Sequence, residues 1–195
     1  MNKASLLIIT GLVVGGLATT LWADSDDDKY EHGFFARLFD REHESREASY
    51  LNNPQYSLYK TECGDCHMAY PPNMLPKPSW QAMMASLENH FGDNAELDQE
   101  SAAAISAFLE TNSAGPKQGE YSRKVWRSTQ EVAQPGRITD TGYFRAKHHE
   151  IRPNMVLNNP DIGSFSRCDA CHSSAEQGGF DEDDVRIPGY GRWDD

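Results

Sequence analysis

Cysteine is scarce in this chain, and its placement excludes most of what cysteine usually does. Only four occur in 195 residues, all inside two short clusters, so no thiol elsewhere is left to staple the fold as a disulfide. Positive charge is also short. The 18 Lys and Arg against 30 Asp and Glu leave a formal net charge of -12, which disfavours nucleic acid and anionic membrane and favours docking on a basic or mixed-charge protein. Solubility alone is the plainer reading of the same acidity. Long apolar runs are missing after residue 23, which confines membrane contact to the N-terminal segment. That segment, from Ala4 to Ala23, follows a single Lys3, carries no charge and precedes the acidic Asp24 to Asp28. It is expected to be a secretory signal cleaved after Ala23, with an uncleaved anchor as the alternative. Either way the rest of the chain is expected on the exported, periplasmic side, and losing Lys3 takes the charge from -12 to -13.

The cysteines present form Cys63-Gly64-Asp65-Cys66-His67 and, 105 positions later, Cys168-Asp169-Ala170-Cys171-His172. At this spacing two thiols can each add to a haem vinyl group while the adjoining imidazole reaches the iron. Two copies imply two covalently attached c-type haems. Zinc bound by four thiolates is the competing reading, but it would use neither histidine. Disulfides alone are disfavoured because neighbouring C-x-x-C pairs make poor staples.

The chain order places these motifs in a mainly α protein of two small haem-binding lobes, over 53–115 and 116–195, preceded by an acidic polar segment over 24–52. Asn53-Pro54 predicts a helix running into Cys63. Prolines 71, 72, 76 and 78 predict an irregular wrap, after which Ser79 is expected to cap a helix from Trp80 to Phe91, closed by Gly92. Trp80, Met83, Met84, Leu87 and Phe91 form its apolar stripe, with His90 on the flank. Asp98 should cap a third helix to about Thr111 that buries Ile105, Phe108 and Leu109. From Gly115 to Gly136 no period is visible, so this stretch is expected to be a connection, anchored by Val125 and Trp126. Thr141 opens a short helix through Ile151, stopped before Pro153, and a helical turn is expected over Cys168 to Ala175. The rest of the second lobe has little regular secondary structure and must lean on its haem.

His67 and His172 are the proximal ligands, because the motif places them. Five histidines remain for the far side of the two irons: His32, His43, His90, His148 and His149. His90 on the first haem and His148 on the second are the candidates, with His43 and His149 in reserve and Met74, Met83 or Met84 as thioether alternatives. Tyr70, Trp80 and Phe91 read both as core and as haem-stacking residues. The run Asp181 to Asp184 reads as a solvated loop, with docking of a basic partner as the alternative.

Several stretches together carry a family resemblance. They are Cys63 to Pro72, Leu75-Pro76, Ser79-Trp80, Met83-Met84, His90-Phe91-Gly92, Ile138-Thr139, Lys147-His148, Cys168 to His172 and Phe180 to Pro188. With them the chain resembles the bacterial dihaem cytochrome c family from about Glu62 to Pro188. The resemblance implies an exported electron carrier with a class I cytochrome c-like first lobe, a less regular second lobe and bis-histidine, low-potential irons. It implies His67, His90, His148 and His172 as ligands, and redox partner proteins such as a small oxygen-binding monohaem c-type protein. The segment Asp24 to Asn52 has no counterpart in it. No catalytic residue is expected. The alternatives are a haem enzyme with one open iron, either a peroxidase or a sulfur-compound oxidoreductase, and the small dihaem subunit of a periplasmic reductase.

Overall fold

The structure, a computed structural model, describes residues 49–130 and 136–193. The leader and nearly all of the acidic segment, with His32 and His43, lie outside the described residues. No described helix is long and apolar enough to cross a membrane. The described chain is mainly helical, with six α-helices, several single 3₁₀ turns and one two-stranded antiparallel hairpin.

A 3₁₀ turn over Ser49–Asn52 leads into α1, Pro54–Cys63. Asn53 caps α1 as expected, its Oδ1 accepting from the Gln55 N–H at 2.9 Å, and Pro54 occupies the first turn where its missing N–H costs nothing. The helix stops at Gly64, whose N–H donates to the Lys60 carbonyl at 3.0 Å. A Cβ at Gly64 would collide with that same carbonyl oxygen. The second position of the first motif is therefore restricted to glycine by close backbone approach, not by a special φ.

The second helix departs from expectation. α2 spans Lys77–Met84, not Trp80 to Phe91, and Ser79 is buried inside its first turn instead of capping it. Pro76 and Pro78 start the helix, because proline in a first turn removes no intrahelical hydrogen bond. Its early end coincides with Ser86, whose Oγ donates to the Ala82 carbonyl at 3.0 Å and competes with the helix ladder. A 3₁₀ turn over Leu87–Asn89 follows, and Phe91 then adopts φ 55°, which turns it out to 48% exposure. The apolar stripe thus breaks after Met84. Helix α3, Gln99–Asn112, matches expectation: Asp98 Oδ1 accepts from Ser101 and Glu100 N–H, and Ile105, Phe108 and Leu109 are buried. α3 packs on both α1 and α2. Their shared core holds Tyr50, Tyr59, Ala69, Leu75, Trp80, Ile105, Phe108 and Leu109, with Cys63 against it.

The expected connection contains helix α4, Glu120–Ser128. Val125 and Ser122 face inward, and the Ser122 Oγ accepts the Gly115 N–H at 3.1 Å; Trp126 is half-buried. Tyr121 and Val125 stand at helical spacing, but the Gly and Pro residues on either side of the stretch point to a connection. Thr141 caps α5 as expected, accepting from the Phe144 N–H at 3.1 Å, but α5 covers only Gly142–Lys147 and ends at His148. Pro153 starts a further helix, α6 (Pro153–Leu157), where it was expected only to stop one. Met155 and Val156 of α6 join Ile162 and Ile187 in a second core, with Cys171 against it. The chain closes with strands β1, Arg186–Ile187, and β2, Gly191–Arg192.

Gly64→Ala is expected to destabilise the holoprotein by about 1–3 kcal/mol, the usual cost of forcing one extra carbon into a filled site. A thermal unfolding midpoint equal to the parent's would show that the backbone at Lys60 yields.

Candidate haem sites

At the first site α1 delivers Cys63 at its last position, and the turn after it carries Cys66 and His67. Burial pushes the Cys63 thiol up to about 11, so it is a neutral thiol in the folded chain. The His67 Nδ1 lies 2.8 Å from the Met68 carbonyl, which can only accept, so Nδ1 donates to it and the ring is held from behind. The imidazole stacks on Tyr70, with ring centroids 4.6 Å apart and planes 22° apart. Opposite it stands His90, 6.2 Å away with planes at 27°. His90 is held by a tight turn in which its N–H donates to the Asp93 carbonyl at 2.7 Å and its own carbonyl accepts from Asp93 at 3.2 Å. Burial lowers its basicity, and His67 and Arg137 add to that. The Arg137 guanidinium sits 3.8 Å over the Phe91 ring beside it.

The second motif begins with a 3₁₀ turn, Cys168–Ala170, and the N–H groups of Cys171 and His172 both donate to the Cys168 carbonyl, at 3.1 and 2.8 Å. Cys171 is fixed from outside as well, since its carbonyl accepts from Arg186 at 3.0 Å. Burial pushes Cys168 up to about 11 and raises Cys171. His172 is pushed down to about 4, first by burial and then by His148. Its Nδ1 is buried without a hydrogen-bond partner. His148, at the end of α5, stacks on Phe144 at 3.9 Å, and its Nδ1–H donates to the Phe144 carbonyl at 2.9 Å. His148 and His172 are 6.2 Å apart with planes at 70°.

These two histidines and both thiols line one mostly apolar hollow that opens to solvent. Phe144, Phe165 and Phe180 form part of its wall, and Met74, Tyr121 and Val125 reach it from the preceding half of the chain. Such aromatic and aliphatic walls suit a large flat apolar group. The chemistry of the walls agrees: paired thiols at the attachment spacing, facing imidazoles and aromatic rings suit a haem, and the residues present fit it.

All eight sequence-predicted site residues are therefore found in two groups: Cys63, Cys66, His67 and His90 in one, Cys168, Cys171, His172 and His148 in the other. His149 points away, with 69% of its side chain exposed and its Nδ1 at 2.9 Å from the Ala146 carbonyl. Met83 and Met84 pack against the first core, and Met74 lines the second hollow. Trp80 is core, its Nε1–H bound to the Pro72 carbonyl at 2.7 Å, whereas Phe91 is on the surface. Of the acidic run, Glu182 pairs with Lys147 and Asp183 with Arg192 at 3.4 Å. Sequence reasoning missed Phe165 and Phe180 as walls; nothing in their local pattern marks them.

Two motif-borne thiol pairs, each with a motif imidazole faced by another, define a two-haem c-type electron carrier. A family model described as dihaem cytochrome c matches residues 59–180, and the chain belongs to that family, with its two covalently bound c-type haems and their iron. Solved structures agree. The diheme cytochrome type c of Shewanella baltica OS155 is 48% identical over 72% of this chain and 99% of its own, with a TM-score of 0.60. A diheme cytochrome c from Rhodobacter sphaeroides is 41% identical over 64% of this chain and 95% of its own, at a TM-score of 0.57. A comparison with curated proteins found no match.

His148→Ala is expected to open one haem, and only one, to carbon monoxide in the reduced protein, while His149→Ala leaves the spectrum unchanged. The reverse result in carbon monoxide difference spectra would exchange the roles of the two residues.

Proposed function

We propose that this protein relays electrons in the periplasm between redox partner proteins, through two six-coordinate haems. Cys63 and Cys66 carry the first by thioether bonds, and His67 and His90 bind its iron; Cys168 and Cys171 carry the second, with His172 and His148. Each bound iron accepts and releases one electron. The observation that carries this reading is the matched 6.2 Å between the facing imidazoles at both sites. With metal–imidazole bonds of about 2 Å, two rings sharing one metal from opposite sides stand about that far apart. A second imidazole in place of a methionine favours a low potential.

The residues support relay over catalysis. With two imidazoles at each iron, of which His67 and His148 are fixed through backbone carbonyls, a change of charge would ask for little rearrangement and no place would be left for a substrate. The formal charge of -12 points to partners with basic or mixed surfaces, a small oxygen-binding monohaem c-type protein among them.

The two imidazole-plane angles, 27° and 70°, make the reading testable. The electron paramagnetic resonance spectrum of the oxidised protein should contain two low-spin species, one typical of near-parallel and one of strongly crossed axial planes. A high-spin component, or a methionine-to-iron band in the near infrared, would overturn bis-histidine ligation.

A further inference from the structure

Three side-chain contacts join the first motif's surroundings to the second's. The Tyr56 hydroxyl donates to the Glu176 carbonyl at 3.1 Å, and Lys60 pairs with the Glu176 carboxylate at 2.9 Å; both contacts are exposed. Neither residue is in a recorded ring contact with a motif histidine. The third is different. Tyr70 has its ring against the His67 imidazole, with centroids 4.6 Å apart, and its hydroxyl donates to the Ser166 carbonyl at 2.8 Å. That same carbonyl oxygen lies 3.9 Å from the Cys168 sulfur, and Cys168 follows Ser166 by two residues. Tyr70 is held at its backbone too, because its carbonyl accepts from the Tyr59 hydroxyl at 2.8 Å. Tyr59 is itself buried in the first core.

We propose that Tyr70 couples the two haem sites, acting as a positioning residue that carries an electron's path from the His67 imidazole through its ring and hydroxyl to the segment bearing Cys168. Electronic coupling falls off more slowly through bonds, hydrogen bonds and stacked rings than across gaps, and here the contacts are continuous. In the step, one electron leaves the ferrous iron of one site and reduces the ferric iron of the other. Tyr70 is neither oxidised nor deprotonated; its proton stays on the hydroxyl, shared with the Ser166 carbonyl. The inference rests on the electron-relay reading given above.

The test uses the full chain with both haems attached. Tyr70→Phe keeps the stacked ring and deletes the hydroxyl; Tyr70→Leu removes both. After a rapid one-electron pulse, freeze-quenched samples read by electron paramagnetic resonance follow the passage of the electron between the haems. The potentials of each variant are titrated so that rates are compared at equal driving force. A several-fold slower equilibration in Tyr70→Phe, and slower still in Tyr70→Leu, is expected. Parental rates in Tyr70→Phe overturn the proposal whatever Tyr70→Leu does, even if its melting temperature falls, since that is the mark of a purely structural tether. If no electron passes between the haems of the parent, the relay reading itself fails. Should Tyr70→Leu not assemble, Tyr70→Phe alone decides.

Discussion

Two imidazoles held 6.2 Å apart across a gap have no contact of their own to keep them there. Each must be gripped from behind, and much of the fold is that grip. At the first site the Met68 carbonyl and the Tyr70 ring hold His67, and a tight turn closed between His90 and Asp93 presents the other ring. At the second the Phe144 carbonyl and ring hold His148, and the pairing of His172 with Val185 fixes the strand-like segment opposite. The carbonyls behind His67 and His148 also choose the tautomer, so that Nε2 faces inward.

The two sites are gripped differently, and the difference is chemical. His172 has its Nδ1 buried without a partner, whereas the His67 Nδ1 has a carbonyl. Hydrogen bonding to the outer nitrogen raises a ligand's basicity, and burial changes the dielectric around the iron; both are levers on a haem's potential. Aromatic walls surround the second pair, while the first has Phe91 and Arg137 on the surface beside it. One family of ligands thus meets two environments within one chain.

The motif residues and their facing histidines were readable because covalent chemistry leaves a fixed spacing, and because His148 shares a helical face with Phe144. Caps were readable where a side chain bonds its own helix, as with Asn53, Asp98 and Thr141. Proline is legible only as a break: the pattern places Pro78 in an irregular wrap and Pro153 beyond a helix end, and a helix does end before Pro153, yet each also sits in a first turn. Helix α4 escaped because the Gly and Pro residues on either side of it point to a connection, although Tyr121 and Val125 stand at helical spacing. The walls drawn from Phe165 and Phe180 depend on tertiary placement alone, which no local period records.

The second motif is closed by the C-terminal hairpin. The buried residues of the first core all lie between Tyr50 and Leu109, with Ile138 packed against them from later in the chain. The second motif, by contrast, waits for Val185 and Arg186 to arrive and for Trp193 to donate to Val185 at 3.1 Å. One half thus closes through contacts mostly near in sequence, while the other depends on residues that come some fifteen to twenty places after its motif.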